Sequence, residues 1–132
     1  MLNLKDASLL RQRCYIDGLW VDADQAETIA VCNPATGEKI GTIPKMGAAE
    51  TRRAIAAADA ALPGWRKMTA AERGKLLRRW SELMLAHQDD LARIMTAEQG
   101  KPLAESKGEI SYAASYLEWF AEEGRRAYGE II

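Results

Sequence analysis

The sequence predicts an α+β segment in which two N-terminal β-hairpins are followed by about four α-helices. Three observations carry this reading. Asp17-Gly18 stands between two short apolar runs, and a two-residue hairpin turn needs positive φ at both positions, which Asp and Gly tolerate. Thr69 and Glu72 lie three residues apart just before an apolar-periodic run, the pattern of a helix-opening capping box. Gly100 and Pro102 punctuate two helical patterns, the first as a left-handed stop and the second as a start.

The elements follow in order. The first hairpin pairs Cys14-Tyr15-Ile16 with Leu19-Trp20-Val21. The second pairs 28–32 with 39–43 across Asn33-Pro34-Ala35-Thr36-Gly37, whose Asn, Pro and Gly supply the turn chemistry, and Pro44 and Gly47 close the β-rich portion. The first helix is expected from about Ala48 to Leu62, with Ile55, Ala58 and Leu62 on one face and Pro63-Gly64 ending it. The second starts at Thr69 and directs Leu76, Leu77, Trp80, Leu83 and Met84 inward. The third runs from about Asp89 to Gln99 with Leu91, Ile94 and Met95 inward. The fourth follows Pro102 to about Glu123, roughly 33 Å at 1.5 Å per residue, weakened slightly by Gly108.

That fourth helix carries two stripes. Leu103, Ile110, Ala113, Leu117, Phe120 and Ala121 fall on one, and Glu105, Glu109, Tyr112, Tyr116 and Trp119 on the next. Two readings of the second stripe stay open: aromatics in the core with the acids solvated, or a face turned toward a second environment.

Composition narrows the function classes. Apolar residues make up 48% and charged residues 28%, the balance of a globular protein, and the net charge of −1 gives no global pull toward nucleic acid or an anionic membrane. Arg66, Lys67, Arg73, Lys75, Arg78 and Arg79 cluster, and read as a solvated helix face. No apolar run of about 18 residues spans a membrane, and residues 1–13 lack the core of a signal peptide, so a cytoplasmic protein is expected. Cys14 and Cys32 form no disulfide framework or metal spacing and are expected to be reduced, buried thiols.

The search for chemistry is mostly negative. No Gly-x-Gly-x-x-Gly follows a strand. Gly100-Lys101 is similar to the end of a phosphate loop, but Met95 stands where its earlier glycine belongs and Pro102 where its hydroxyl belongs. His87, the single histidine, lies near a helix end without a nucleophile or paired ligand, and reads as a surface residue. The chain stops at Glu130-Ile131-Ile132, an apolar pair in mid-pattern, so residues 1–132 are expected to be an incomplete domain.

Particular strings go further. Ile16-Asp17-Gly18-Leu19-Trp20, Asn33-Pro34-Ala35-Thr36-Gly37-Glu38, Trp65-Arg66, Glu72-Arg73, Glu98-Gln99-Gly100-Lys101-Pro102-Leu103 and Gly108-Glu109-Ile110 resemble, in order and spacing, the N-terminal region of the aldehyde dehydrogenase superfamily. The run from Tyr116 to Arg126, with Tyr128-Gly129, resembles its succinate-semialdehyde dehydrogenase branch. The resemblance covers the chain from about Leu10 to Ile132.

The resemblance implies an α/β fold for the parent enzyme, and oxidation of an aldehyde to a carboxylate with NADP or NAD. A cysteine thiolate attacks the aldehyde, hydride passes to the nicotinamide, and a Glu-activated water hydrolyses the thioester. In the family those groups, and the dinucleotide-binding core, lie downstream of the segment seen here, so no catalytic and no cofactor-binding residue is expected in this chain. Neither cysteine matches the nucleophile's motif, and Glu98 does not match the base's. Two roles carry over: Glu98 and the carbonyl of Val31 as ligands of a monovalent cation, and Tyr112, Tyr116 and Trp119 as lining of the aldehyde channel. Glu98 facing water near its helix end is the plain alternative. The parent is expected to be a homo-oligomer, a dimer or tetramer, that oxidises succinate semialdehyde in 4-aminobutyrate breakdown. Another branch, such as one using glutarate semialdehyde, is the near alternative. A non-enzymatic binding module or a remnant without function comes from a different class.

Overall fold

The computed structural model describes residues 2–132. After a 3-10 turn at Ala7–Leu9 come strands β1 (Cys14–Ile16), β2 (Leu19–Val21), β3 (Thr28–Cys32) and β4 (Lys39–Pro44), then helices α1 (Ala48–Lys67), α2 (Ala70–Ala86), α3 (Gln88–Gln99) and α4 (Leu103–Glu123). The strands form two separate antiparallel pairs, β1 with β2 and β3 with β4. This is the expected α+β order.

Both turns follow from their residues. Asp17 (φ 51°) and Gly18 (φ 78°) carry the two-residue loop that registers Ile16 opposite Leu19. In the second hairpin the Asn33 Oδ1 accepts from Ala35 N at 2.9 Å, Gly37 (φ 74°) donates to the Asn33 carbonyl at 2.8 Å, and Asn33 N donates to Glu38 at 2.9 Å. A bulge follows Val31, which pairs with Gly41 while Cys32 pairs with Lys39.

The helical layer is organised by small residues. Ser81 on α2 donates to the Ala114 carbonyl on α4 at 2.9 Å, and a Cβ built on Gly74 would lie 2.7 Å from the Ala121 carbonyl oxygen. Seven residues separate these points on each helix, so α2 and α4 run antiparallel with their backbones close. Gln88 extends the series one step further, donating to the Lys107 carbonyl at 2.9 Å. Ser106, Ile110, Ala114 and Ala121 are the buried face of α4, and Thr96 and Ser106 join α3 to it at 2.8 Å. On the outer side Arg78 bridges to Glu122 and, at 3.9 Å, to Glu118.

Two buried carboxylates fasten the irregular segments. Asp90, 3% exposed, accepts from Lys5 N at 3.0 Å and Asp6 N at 2.8 Å, tying the N-terminal segment to α3. Glu50 accepts from Gly47 N at 3.0 Å and Asp24 N at 3.1 Å, capping α1 and holding the loop between the hairpins, where Arg53 grips Asp24 bidentately at 2.6 and 2.8 Å. At the opening of α2, Thr69 and Glu72 cap one another as their spacing predicts: Thr69 N donates to Glu72 at 2.7 Å, and Glu72 N donates to Thr69 Oγ1 at 3.3 Å. Gly100 takes the left-handed conformation (φ 82°) expected of it and sits against Pro34, which brings the β3–β4 turn onto the end of α3.

Four expectations are corrected. α1 does not stop at Leu62 but continues through Pro63 and Gly64 to Lys67; both are exposed, so water can satisfy the carbonyl that proline leaves unpaired. The stripe Leu76, Trp80 and Leu83 does not face the core of this chain, because Gly74 and Ser81 turn the opposite side of α2 to α4. Ile55, Ala58 and Leu62 of α1 are likewise exposed, as are Ala113 and Phe120 of α4. Cys14 is half-buried and Cys32 exposed, not two buried thiols, though both are free; β3 sits in a two-stranded sheet with little cover.

Two predictions follow from these contacts. Gly74→Ala should lower stability by about 1–2 kcal/mol, since the clash with the Ala121 carbonyl outweighs the helix-propensity gain. Gly108→Ala, where a Cβ meets nothing within 4 Å, should raise it by about 0.5–1 kcal/mol, both changes being read from urea titrations. Second, the amides of Lys5 and then Asp6 hold Asp90 below the usual carboxylate range. A carboxyl depressed on folding stabilises above its unfolded value of about 4, and that contribution disappears as pH falls through the folded value. Asp90→Asn should therefore be less stable than the parent at neutral pH, with the gap closing in acid. A gap independent of pH would show that the carboxylate charge is not what Lys5 and Asp6 recognise.

Candidate functional site

On α4 the turn of 100° per residue places Tyr112, Tyr116, Trp119 and Phe120 away from the buried Ile110, Ala114 and Ala121. These four aromatics are 49–63% exposed, which removes the reading that buries them in the core of this chain. They border an open groove of about 630 Å³, completed by Ser115, Glu118 and Glu122. Tyr112 and Tyr116 meet edge to face with ring centroids 4.9 Å apart, and their hydroxyls are 2.7 Å apart. One hydroxyl donates to the other, which leaves one proton of the pair for an outside acceptor. The Tyr112 hydroxyl raises the Tyr116 phenol above its ordinary value, first through this hydrogen bond and then through charge. Glu122 is drawn below the usual range by its hydrogen bond to Arg78.

The groove is thus an aromatic wall with one hydroxyl pair, rimmed by the carboxylates of Glu118 and Glu122, and its apolar face suits a small partly apolar molecule. Among the described residues its lining contains no Cys or His. Phe120, placed on the core stripe by periodicity, belongs to this wall, and the legible signal was its position four residues beyond Tyr116 and eight beyond Tyr112.

The second expected site joins β3 to the end of α3. Glu98 is exposed in the last turn of α3, Val31 is half-buried on β3, and these two elements touch. Contact between Gly100 and Pro34 fixes their approach. Among the described residues no cluster of three His, Cys, Asp or Glu has metal-holding geometry, and no helix is long and apolar enough to cross a membrane.

A profile of the aldehyde dehydrogenase family matches residues 20–132. The glutarate-semialdehyde dehydrogenase of Pseudomonas aeruginosa is 69% identical over 131 residues, 99% of this chain and 27% of its own length. The NADP-dependent succinate-semialdehyde dehydrogenase of Escherichia coli is 63% identical over the same share of each chain, 99% and 27%. The crystal structure of succinate-semialdehyde dehydrogenase from Burkholderia pseudomallei superposes with a TM-score of 0.96 at 62% identity, covering 98% of this chain and 27% of that one. The chain therefore spans about a quarter of the length of these relatives.

Removing the partner hydroxyl tests the pair directly. Tyr112→Phe should shift the ionisation of Tyr116, followed by phenolate absorbance, down toward the ordinary value of about 10. An unchanged titration would show that the two hydroxyls are not joined in solution.

Proposed function

The chain belongs to the aldehyde dehydrogenase family, and on that premise we propose that it is the N-terminal part of an NAD(P)-dependent enzyme oxidising a short carboxylate-bearing semialdehyde to the dicarboxylate. Succinate semialdehyde and glutarate semialdehyde are the two candidate substrates. They differ by one methylene, and the relatives named for them match this chain over the same span. The observation that carries the reading is the groove on α4, whose Tyr112, Tyr116 and Trp119 would form one wall of the aldehyde channel.

In that role the side chains of this segment bind and orient. The rings of Tyr112, Tyr116 and Trp119 would pack along the substrate's methylenes and exclude water, and the free proton of the tyrosine pair would meet an oxygen. NADP or NAD would accept the hydride, and the residues that hold it would come from the remainder of the enzyme, since no glycine-rich dinucleotide loop occurs in these 132 residues. The thiol nucleophile and the general base would come from there too.

We place Glu98 and the Val31 carbonyl at a monovalent cation. A carboxylate and a carbonyl are suitable hard donors, and β3 has a free edge with carbonyls lacking a ladder partner. A cation there would brace the contact between β3 and the end of α3. A cytoplasmic homo-oligomer, acting on neither membrane nor nucleic acid, completes the proposal.

The test is an assay of the enzyme carrying this segment against both semialdehydes with NAD and NADP. Turnover of either substrate is expected, with the preferred chain length read from kcat/KM, because one methylene is worth about 1–3 kcal/mol. Trp119→Ala should raise KM roughly tenfold with a smaller change in kcat, the pattern of lost ground-state contact. Glu98→Ala should abolish any difference between potassium and sodium in thermal stability. Activity confined to aldehydes without a carboxylate would sink the substrate assignment, and an ion response retained by Glu98→Ala would sink the cation site.

A further inference from the structure

The groove on α4 is rimmed by carboxylates, and the substrates proposed for it carry a carboxylate of their own. Glu118 and Glu122 stand one turn apart on α4 and line the same groove as Tyr112, Tyr116 and Trp119. Like charges at this spacing repel one another, and they also repel an anion drawn between them and the rings. With bare carboxylates on its rim, the groove would favour a neutral aldehyde over a semialdehyde.

The neighbouring helix supplies the counterion. The register that sets Gly74 against Ala121 and Ser81 against Ala114 puts residue 78 level with residue 117. Arg78 stands there, and its guanidinium reaches both acids: Nη2 donates to the Glu122 carboxylate, and Nη1 lies 3.9 Å from Glu118 Oε1. A planar guanidinium aims several N–H groups at once, so one residue can serve two acids. Nearby cations do not replace it. Arg126 is paired with Glu123 at 2.5 Å and Arg79 with Glu82 at 3.4 Å. Arg125 and Arg126 act on Glu122 only through space, and less than the Arg78 hydrogen bond does. Among the described residues no other cation forms an ion pair with Glu118 or Glu122.

We propose that Arg78 is a specificity-determining residue: it masks Glu118 and Glu122 on the rim of the aromatic groove, and so lets the groove admit an aldehyde that carries its own carboxylate. The inference rests on the channel reading of this groove. Arg78 acts through the two acids and touches no reacting atom. Its contribution falls on the encounter and binding of an anionic substrate, so it belongs to KM and to the ionic-strength dependence, not to kcat. All three side chains are exposed and screened by water, so the effect is several-fold, not orders of magnitude.

The test compares Arg78→Gln with the parent in the enzyme carrying this segment. Each semialdehyde is set beside the neutral aldehyde of its own chain length, butanal for succinate semialdehyde and pentanal for glutarate semialdehyde. At about 10 mM ionic strength, where the Debye length is about 30 Å, KM for the semialdehyde should rise roughly three- to tenfold and KM for the neutral aldehyde should not change. At about 1 M, where the Debye length is about 3 Å, variant and parent should converge. Arg78→Lys, which keeps the charge, should retain most of the parent's preference. Glu118→Gln with Glu122→Gln, which leaves Arg78 nothing to mask, should lower KM for the semialdehyde, and adding Arg78→Gln to that pair should restore the parent value or less. Where the neutral aldehyde is turned over too slowly to fit, the salt series carries the comparison alone. A rise in KM shared equally by the neutral aldehyde, or one that persists at high salt, would make Arg78 a structural link between α2 and α4 and overturn the proposal. An unchanged KM for the semialdehyde does the same while leaving the channel reading intact. No turnover of either semialdehyde by the parent removes the channel reading, and the proposal with it.

Discussion

The close approach of α2 and α4 sets the position of nearly everything else. Gly74 leaves no room for a Cβ beneath the Ala121 carbonyl, and one helical repeat away Ser81 donates to the Ala114 carbonyl. Small residues let two backbones meet, and the serine hydroxyl satisfies itself on a neighbouring helix instead of its own preceding turn. The contact is more directional than a layer of leucines would be, because a shift by one residue would place a side chain where Gly74 must be. Gln88 continues the seven-residue rhythm after the chain has turned into α3, so one spacing positions three helices.

The loops are held by a different device. Asp90 and Glu50 are buried carboxylates whose partners are backbone amides: Lys5 and Asp6 for one, Gly47 and Asp24 for the other. A carboxylate offers several acceptor sites, so one side chain can fix two amides of an irregular segment. Each therefore pins a stretch of chain that no sheet or helix would hold. Gln12 does the same with an uncharged group, its Oε1 accepting from Thr42 N at 2.8 Å. With Gly100 against Pro34, these links bind the hairpins to the helices without a shared sheet.

These two devices explain what was legible in the residues. Asp17-Gly18, the Asn33 to Gly37 turn, the Thr69–Glu72 cap and Gly100 are local chemistry, and each formed where its spacing placed it. The direction of α2 was not legible, because apolar periodicity marks Leu76, Trp80 and Leu83 as a face to be covered without saying by what. A glycine and a serine, neutral or polar by hydropathy, chose the side that meets α4. Nor does a sequence pattern announce that Asp90 is buried, since its partners are backbone amides 84 and 85 residues away. For the site, the four-residue step from Tyr112 to Tyr116 correctly made them neighbours. Phe120 was assigned to the core because its arc on the helix adjoins that of Leu117 and Ala121. Val31 and Glu98 rest on the resemblance; what the fold adds is contact between the elements that carry them.

Seen from α4, the structural contact and the groove are one arrangement. Ile110, Ala114 and Ala121 lock the inner face, and Tyr112, Tyr116 and Trp119 are fixed on the outer face by the same helical geometry. An α-helix 21 residues long transmits orientation well, since its backbone hydrogen bonds leave little torsional freedom between one face and the other. The tyrosine pair adds local stiffness, because the hydroxyl contact and the edge-to-face packing both restrict χ rotation across one turn. Rigid aromatic walls discriminate ligands by length and shape with little ordering cost on binding. Placing those walls on a helix anchored by glycine, alanine and serine contacts would give the proposed binding surface a precision that comes from the side of the helix a ligand would not touch.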